Sequence, residues 1–337
     1  MTHDAGSGAA QHRETSAPVI SGVDIGGTKI SAVLTDETGA VLAKGVVPAP
    51  AAEGGAAMAD AAADLVLRLC DALGASLAGA GVGAAGVIDQ ERGVVVAASA
   101  TFTDWSGFPL ADELALRLGV PVWVENDVNA FLLGELRWGA ARGESDVLGI
   151  MLGTGVGGAI ALDGAVHHGV HGAAGEIGHT PGFSDLVCTC GQTGHLETLA
   201  SGTSIARRYR AATGSDATAP EIADRARAGE TAALDVFTDA ARATALATSV
   251  ASSLLDLGMV VIGGGVREAW DLLEPGILDA LRTDAPVSGF PLRIVPAEIS
   301  ADAVARGAAA LASARLADSV PAPSEPPASP EKERTSS

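Results

Sequence analysis

The chain has 337 residues, of which 47% are hydrophobic and 18% are charged, and its formal net charge is −20. This length accommodates two domains with buried cores, and the negative charge argues against nucleic acid or an anionic membrane as a partner. The N-terminus lacks an apolar segment, and the cysteines number three. We therefore expect no signal peptide and no disulfide framework, which indicates a cytoplasmic protein.

Strand and helix patterns alternate along the chain in two similar sets, each of which begins with strands and continues into helices. The predicted strands are 19–25, 29–36, 40–47, 80–88, 120–126, 146–152, 157–162, 259–266 and 292–299. The predicted helices are 54–73, 109–118, 127–138, 203–212, 218–229, 231–256, 267–282 and 302–317. The repeated order predicts a duplicated α/β architecture with a cleft between the halves.

Three glycine-rich turns follow strand patterns. The first, VDIGGTK at 23–29, combines a carboxylate, two glycines and a hydroxyl between two strands, and LGTGVGGAI at 152–160 repeats that design. The third, VIGGGV at 261–266, lies where a strand meets a helix, whose N-terminus could hold a nucleotide. Backbone N–H groups in such turns bind anions, although each turn alone also suits a plain hairpin. Together, the three turns favour a phosphate-binding function.

Asn126 and Asp127 stand where a strand pattern ends and a helix pattern begins, in the stretch WVENDVNAF. Clefts of α/β sheets form at the carboxyl ends of strands, which favours a functional role for this pair. The alternative is that either side chain simply caps the helix, which is the commoner use of such residues at this position. Phosphoryl transfer to an alcohol needs an acceptor for the hydroxyl proton, and an aspartate supplies one.

Five motifs follow one another along the chain: DIGGTK, ENDVNA (125–130), LGTGVGGAI, GAAGEIGH (172–179) and CxCGxxGHxE (188–197). In this order they resemble the ROK family of sugar kinases, over about residues 18–317. The resemblance implies an actin-like, hexokinase-type (ribonuclease H-like) fold, in which two α/β domains close on a sugar. It also implies ATP as the phosphoryl donor, with Mg²⁺, and a homodimer or higher homo-oligomer.

The resemblance assigns roles to residues that match the family's motifs. It implies that Asp127 is the general base and that the sugar is contacted by Gly86, Asn126, Asp127, Glu176, His179 and Glu197. It implies that ATP and Mg²⁺ are contacted by Asp24, Gly26, Gly27, Thr28, Lys29, Gly153, Thr154, Gly155, Gly263, Gly264 and Gly265. Glu197 also suits the first turn of a helix, where the dipole favours a carboxylate.

The stretch CTCGQTGH at 188–195 raises three alternatives: a metal site, a redox pair or two buried thiols. Structural zinc takes four nitrogen or sulfur ligands, and His179, Cys188, Cys190 and His195 supply four. A thioredoxin-like pair would need two residues between its cysteines, and only one intervenes. Two buried thiols would leave the adjacent glycines and histidines unexplained. We therefore predict a structural Zn²⁺ site.

The predicted zinc site departs from the commoner family pattern, in which the last ligand is a cysteine rather than His195. Zinc accepts either residue, but an imidazole reaches further than a thiolate, which affects the geometry that the loop at 191–195 must adopt. All four positions are filled by protein, which leaves no open position for chemistry. The resemblance gives His179 two roles, with one ring nitrogen on zinc and the other donating to the sugar.

The substrate prediction depends on SATFTDWSGFPL at 99–110. Many glucokinases of the family carry Asn-Leu-x-x-Trp here, and this chain has Thr101 and Phe102 in place of Asn and Leu, while Trp105 is kept. A threonine hydroxyl cannot make both hydrogen bonds of an amide, and an aromatic ring could contact an acetamido methyl. We therefore predict N-acetylglucosamine, phosphorylated at O6. The alternatives are glucose, another 2-acetamido hexose and, last, an inactive sugar-responsive regulator.

Two features argue against the regulator. Only 23 residues precede Asp24, too few for a winged helix-turn-helix domain, and ENDVNA is retained. We predict the N-terminal α/β domain at 18–125, closed by the helix 302–317, and the C-terminal α/β domain with the zinc knuckle at 126–301. The flanking segments, rich in Pro, Ser and charge, are predicted as disordered tails at 1–17 and 318–337. The remaining loop histidines are predicted to be solvated, namely His167, His168 and His171.

Overall fold

The structure, a computed structural model, describes residues 17–99, 101–299 and 302–319. Its strands are β1 (Val19–Ile25), β2 (Lys29–Thr35), β3 (Val41–Pro48), β4 (Leu77–Ala84), β5 (Val87–Asp89), β6 (Val94–Ala97), β7 (Val122–Asn126), β8 (Val147–Leu152), β9 (Val156–Leu162), β10 (Ala165–Val166), β11 (Met259–Gly263) and β12 (Arg293–Pro296). Its helices are α1 (Gly55–Leu73), α2 (Leu110–Leu118), α3 (Asp127–Trp138), α4 (Glu197–Ala200), α5 (Gly202–Thr213), α6 (Ala219–Arg227), α7 (Thr231–Leu255), α8 (Trp270–Thr283) and α9 (Ala303–Asp318). Short 3-10 helices lie at Ile177–His179 and Gly265–Ala269.

The strands form two five-stranded sheets with the same topology. The first sheet has the order β3-β2-β1-β4-β7, and the second has the order β10-β9-β8-β11-β12. In the first sheet, β2 is antiparallel to β1 and β3, whereas β4 and β7 run parallel to β1. The second sheet repeats these directions strand for strand. This repetition confirms the predicted duplicated α/β architecture.

Helices α3 and α9 connect the two sheets. α9 packs on β1 and β4 of the first sheet and on α3, and α3 also packs on β8 and β9 of the second sheet. The backbones of β4 and α9 lie too close together for a side chain between them, because a Cβ on Gly81 would lie 1.8 Å from the Ala308 carbonyl oxygen. Likewise, a Cβ on Gly307 would lie 1.6 Å from the Ala130 carbonyl oxygen. These glycines are required because backbone packs directly on backbone.

The predicted elements and the observed ones differ most at glycines. The strand predicted at 80–88 is divided into β4 and β5, because Gly86 has a φ of 116° that interrupts the extended chain. The strand predicted at 259–266 ends at Gly263, and the following Gly264 has a φ of 82°. The helix predicted from 267 begins instead as a 3-10 helix and becomes α-helical at Trp270.

The predicted tails, 1–17 and 318–337, lie outside the described residues except for 17, 318 and 319. The domain boundaries stay predictions. Among the residues that the structure describes, no helix combines the length and the apolar character that crossing a membrane would require.

Candidate active site

The register of the first sheet brings several predicted site residues to one edge. Asp24, near the end of β1, aligns with Gly83 of β4, which in turn aligns with Glu125 of β7. Asn126 ends β7, and Asp127 begins α3. Asp24 and the Asn126–Asp127 pair therefore lie together at the carboxyl ends of parallel strands, where clefts of α/β sheets form.

Asn126 caps α3, which is the alternative role that the sequence allowed for this residue. Its Oδ1 accepts hydrogen bonds from the backbone N–H groups of Val128 (2.9 Å) and Asn129 (3.1 Å). Its Nδ2 donates to the backbone carbonyl of Gly86 (3.0 Å) and to Oδ1 of Asp127 (2.9 Å). Capping and a role in the site therefore coexist, because the same side chain orients the carboxylate and holds the turn between β4 and β5.

Asp127 is partly buried, and its hydrogen bonds within the described residues engage Oδ1, which also accepts from the Val128 N–H at 3.0 Å. Burial, reinforced by the negative charge of Asp24, raises the pKa of Asp127 to about 7, against the effect of its hydrogen bonds. A general base works best when its pKa lies near the working pH. Asp127 thus has the electrostatic environment of a proton acceptor, with Oδ2 available to a substrate.

Three polar groups lie in or next to the turn between β1 and β2, namely Asp24, Thr28 and Lys29. Burial raises the pKa of Asp24 to about 6, while the positive charge of Lys29 and the Ser31 hydroxyl at 3.5 Å act in the opposite direction. The Gly26 N–H donates to the Lys29 carbonyl (3.1 Å), which closes the turn. Thr28 and Lys29 are exposed. The turn can therefore offer a carboxylate, a hydroxyl and an ammonium group to a phosphate–cation pair.

The two glycine turns of the second sheet meet where β8 and β11 end. A Cβ on Gly264 would lie 2.4 Å from the carbonyl oxygen of Leu152, so the turns are in backbone contact. In the turn after β8, the Gly153 N–H donates to the Gly155 carbonyl (2.9 Å). The structure thus brings together all the nucleotide-binding residues predicted in this half: Gly153, Thr154, Gly155, Gly263, Gly264 and Gly265.

Glu197 joins the turn after β8 to the cysteine-rich segment. Its buried Oε2 accepts a hydrogen bond from the Val156 N–H (2.9 Å), and a Cβ on Gly155 would lie 2.5 Å from it. Its Oε1 accepts from the Thr189 hydroxyl (2.6 Å). Both oxygens of this predicted sugar ligand therefore already have protein donors. A sugar hydroxyl would use the second lone pair of one of them.

Four predicted metal ligands, His179, Cys188, Cys190 and His195, converge with their ligand atoms within 4.8 Å of one another. Nδ1 of His195 lies 3.3 Å from Nδ1 of His179 and 3.3 Å from Sγ of Cys190. Nδ1 of His179 lies 3.9 Å from Sγ of Cys188. Ordinary zinc bond lengths give tetrahedral ligand–ligand distances of roughly 3.3–3.8 Å. The donor set and its spacing fit Zn²⁺.

The second nitrogens of the two imidazoles have different surroundings. Nε2 of His195 lies 3.1 Å from Oε1 of Gln192, the type of outer partner that orients a ligating imidazole. Nε2 of His179 lies 4.0 Å from the carboxylate of Glu176, which directly precedes the 3-10 helix ending at His179. Glu176 and the free nitrogen of His179 therefore form one polar pair beside the four predicted metal ligands (the metal cluster).

The loop at 101–109 is organised by stacked aromatic rings. Trp105 is 1% exposed and donates from Nε1 to the Ala85 carbonyl (3.0 Å), and it stacks on Phe102 and Phe108 with centroid distances of 5.7 Å each. The ring of Phe102 also covers the first glycine turn, since a Cβ on Gly27 would lie 3.3 Å from its Cζ. The loop therefore packs against the ends of both β1 and β4.

His168 corrects a sequence-based interpretation. It was predicted to be a solvated loop residue, but its Nε2 lies 2.7 Å from Oε2 of Glu125, and its side chain is 25% exposed. His167 and His171 are exposed, as expected. The sequence does show an acid at a buried strand end, which needs a partner, but nothing in the sequence tells which of the neighbouring histidines supplies it.

Comparison with known proteins places this arrangement in a family. Residues 20–315 match the model of the ROK family. The chain is 37% identical over 274 residues to a glucokinase of Halalkalibacterium halodurans (75% of this chain, 82% of the relative). It is 32% identical over 273 residues to an N-acetyl-D-glucosamine kinase of Haemophilus influenzae (77% and 88%). A ROK family glucokinase from Streptomyces griseus in complex with glucose and AMPPNP superimposes with a TM-score of 0.77 and 34% identity, over 87% of this chain and 99% of that one. By sequence and by fold, this chain belongs to the ROK family.

Proposed function

We propose that this protein, an ATP-dependent sugar kinase, phosphorylates the 6-hydroxyl group of a hexose, and that glucose is its preferred hexose. The observation that carries the proposal is Asp127, a carboxylate whose hydrogen bonds within the described residues engage Oδ1 alone and whose pKa is raised to about 7. The residue after it, Val128, lies against β9, because a Cβ on Gly157 would be 2.5 Å from its Cγ2. The proposed base thus stands beside the strand that follows the turn at 153–155.

In the proposed reaction, the oxygen of the sugar's 6-hydroxyl group attacks the γ-phosphorus of ATP, and Oδ2 of Asp127 accepts the proton of that hydroxyl group. The bond from the γ-phosphorus to the bridging oxygen breaks, and ADP leaves with the electron pair. Asn126 holds Asp127 in position through its 2.9 Å hydrogen bond. Glu176 and the free nitrogen of His179 bind other hydroxyl groups of the sugar, which positions the acceptor for in-line attack.

Two turns bind the phosphates in this proposal. Backbone N–H groups of the turns at 153–155 and 263–265 would donate to phosphate oxygens, except that of Gly153, which already donates to the Gly155 carbonyl (2.9 Å). Thr28 and Lys29, both exposed, would approach from the first sheet. Mg²⁺ bound with ATP offsets the negative charge of the phosphates. Asp24 and Thr28 would face it, and their oxygen atoms are the donors that Mg²⁺ prefers.

Zn²⁺ has a structural role in this proposal. His179, Cys188, Cys190 and His195 would hold it, and their spacing fits a tetrahedral site. A metal bound by four protein groups keeps the intervening loops in one arrangement. The expected consequence is that Glu176 and the Thr189–Glu197 hydrogen bond are held in place together.

The choice of glucose has two supports. The N-acetylglucosamine prediction allowed an aromatic ring of the loop to contact an acetamido methyl, but the ring of Phe102 packs on Trp105 and Gly27. The glucokinase of Halalkalibacterium halodurans is also the more similar of the two relatives, at 37% against 32% identity. N-acetylglucosamine stays the second candidate because Thr101 is exposed and lacks the amide that would hold a glucose hydroxyl.

The test measures ADP release with glucose, mannose, N-acetylglucosamine and N-acetylmannosamine at identical ATP and Mg²⁺. We expect kcat/KM for glucose to exceed the others by about tenfold or more, which corresponds to about 1.4 kcal/mol of transition-state preference. A tenfold preference for N-acetylglucosamine would establish the second candidate instead. Equal, slow ADP release with every sugar and without sugar would contradict the kinase proposal.

A further inference from the structure

Glu125, the residue before Asn126, has a side chain that is only 4% exposed. Its Oε1 accepts hydrogen bonds from the Asn126 backbone N–H (2.9 Å) and from Nδ2 of Asn129 (3.0 Å). Its Oε2 lies 2.7 Å from Nε2 of His168. A carboxylate removed from water needs such partners, and His168 is the one among these that can carry a positive charge.

His168 belongs to the other half of the molecule. It follows β10, 43 residues along the chain from Glu125. Its neighbour His167 donates from its backbone N–H to the Ile160 carbonyl of β9 (2.8 Å), which holds the start of this loop on the second sheet. The same loop continues to Glu176. The His168–Glu125 pair therefore connects the end of β7 with the segment that leads to the polar pair beside the metal cluster.

We propose that His168 is a positioning residue for phosphoryl transfer. By pairing with Glu125, it fixes the end of β7, and with it Asp127, relative to the loop that leads to Glu176 and His179. The inference rests on the proposed function, in which Asp127 at the end of β7 acts on the reacting hydroxyl group while Glu176 and His179 hold other hydroxyl groups of the sugar. A small displacement of a general base from its acceptor lowers the rate strongly, so the pair is expected to act on kcat.

The charged groups that face His168 are the Glu125 carboxylate on β7 and the Arg315 guanidinium on α9. The hydrogen bond with Glu125 raises the pKa of His168 above its ordinary value, while burial and the positive charge of Arg315 oppose the rise. Because the folded-state pKa is raised, the ion pair is present at lower pH and is lost as pH rises through that pKa. Loss of the His168–Glu125 ion pair therefore lowers kcat at the alkaline end of the pH profile. Protonation of Asp127 lowers it at the acidic end.

The test compares His168→Ala, His168→Gln and His168→Arg with the parent, and His171→Gln serves as the matched control because His171 is exposed in the same loop. We expect His168→Ala to lower kcat about tenfold or more, with the KM for the hexose changed less than about threefold. His168→Arg keeps a charged donor and should recover most of the lost kcat. Because a guanidinium does not titrate in this range, the decline of kcat at alkaline pH should disappear in His168→Arg. His168→Gln keeps a donor without charge, so its kcat should be low and flat on the alkaline side.

Thermal unfolding of each variant separates this role from a structural one, since a structural role would lower the unfolding temperature without changing the shape of the pH profile. The inference is overturned if His168→Ala and His168→Arg keep the kcat and the alkaline limb of the parent. That result would leave the proposed function intact, because the parent and His171→Gln would still phosphorylate the hexose. Absence of phosphorylation in the parent and in the control alike would refute the proposed function, and the positioning role with it.

Discussion

The two five-stranded sheets share strand order and strand directions, yet the edges where their parallel strands end carry different residues. The first sheet ends in the carboxyl groups of Asp24 and Asp127, whose pKa values are raised to about 6 and about 7. The second sheet ends in backbone turns built on glycines such as Gly153 and Gly264. The shared topology determines where a site can form, while the groups at the strand ends differ: buried carboxylates distinguish the first edge, and glycine backbone forms the second.

The connections of the two sheets differ as well. In the first sheet, β3 leads to β4 through α1 alone, whereas in the second, β10 leads to β11 through a long segment that includes the metal cluster and α4 to α7. Between β10 and α5, regular structure is limited to one 3-10 helix and the single turn of α4. A bound metal can fix such a segment where helices and strands do not. In the proposed function, this segment supplies Glu176 and His179 as sugar ligands of the second half.

Removing the Asp127 carboxylate, at the strand ends of the first sheet, should have the largest effect on catalysis. Asp127→Asn keeps a side chain of the same shape but cannot accept the proton, so we expect kcat to fall roughly 10²–10⁴-fold. Glucose affinity, measured by calorimetry, should stay within a few-fold of the parent. Turnover close to that of the parent would remove Asp127 from the role of base.

Disrupting the metal cluster tests the second half. Purified protein should contain about one zinc per chain, released by denaturation or strong chelation. Cys188→Ala should lower the melting temperature and weaken hexose binding by about tenfold or more, because the frame around Glu176 loosens. His195→Cys is the matched control, since it restores the commoner ligand set and should keep both zinc and activity. Full activity in protein that contains no zinc would refute the structural role.

Sequence predicted the parts of this comparison that depend on local patterns. The helix at Asp127–Trp138 was predicted at its observed bounds, and the preceding strand was predicted to end at Asn126, as it does, although it begins at Val122 and not at 120. The pairing of His168 with Glu125 was missed because the residues are 43 positions apart and three nearby histidines look alike in sequence. The stacking of Phe102 on Trp105 was missed because it depends on how a loop folds, not on periodicity.

The raised pKa of Asp127 predicts opposite effects of pH on rate and on stability. The base must be ionised, so kcat/KM for the hexose should fall about tenfold per pH unit below about 7. Because the folded state holds the proton more tightly than the unfolded chain, ionisation of Asp127 costs stability as pH rises from about 4 to about 7. Asp127→Asn should therefore melt at a higher temperature than the parent at pH 8 and at nearly the same temperature at pH 4. An identical melting difference at both pH values would contradict the raised pKa.

The smallest expected effect concerns the loop that covers the first glycine turn. Thr101 is exposed there, while the neighbouring Phe102 packs on Gly27 and Trp105. Thr101→Asn introduces an amide that can both donate to and accept from a sugar hydroxyl, so we expect kcat/KM for glucose to rise about threefold to tenfold. Thr103→Asn is the matched control, because Thr103 is exposed in the same loop and its backbone N–H is already bound to the Ala51 carbonyl (3.0 Å). A gain confined to Thr101→Asn would assign sugar selectivity to the first half of the molecule. Equal values for both variants and the parent would assign it to the polar pair beside the metal cluster in the second half.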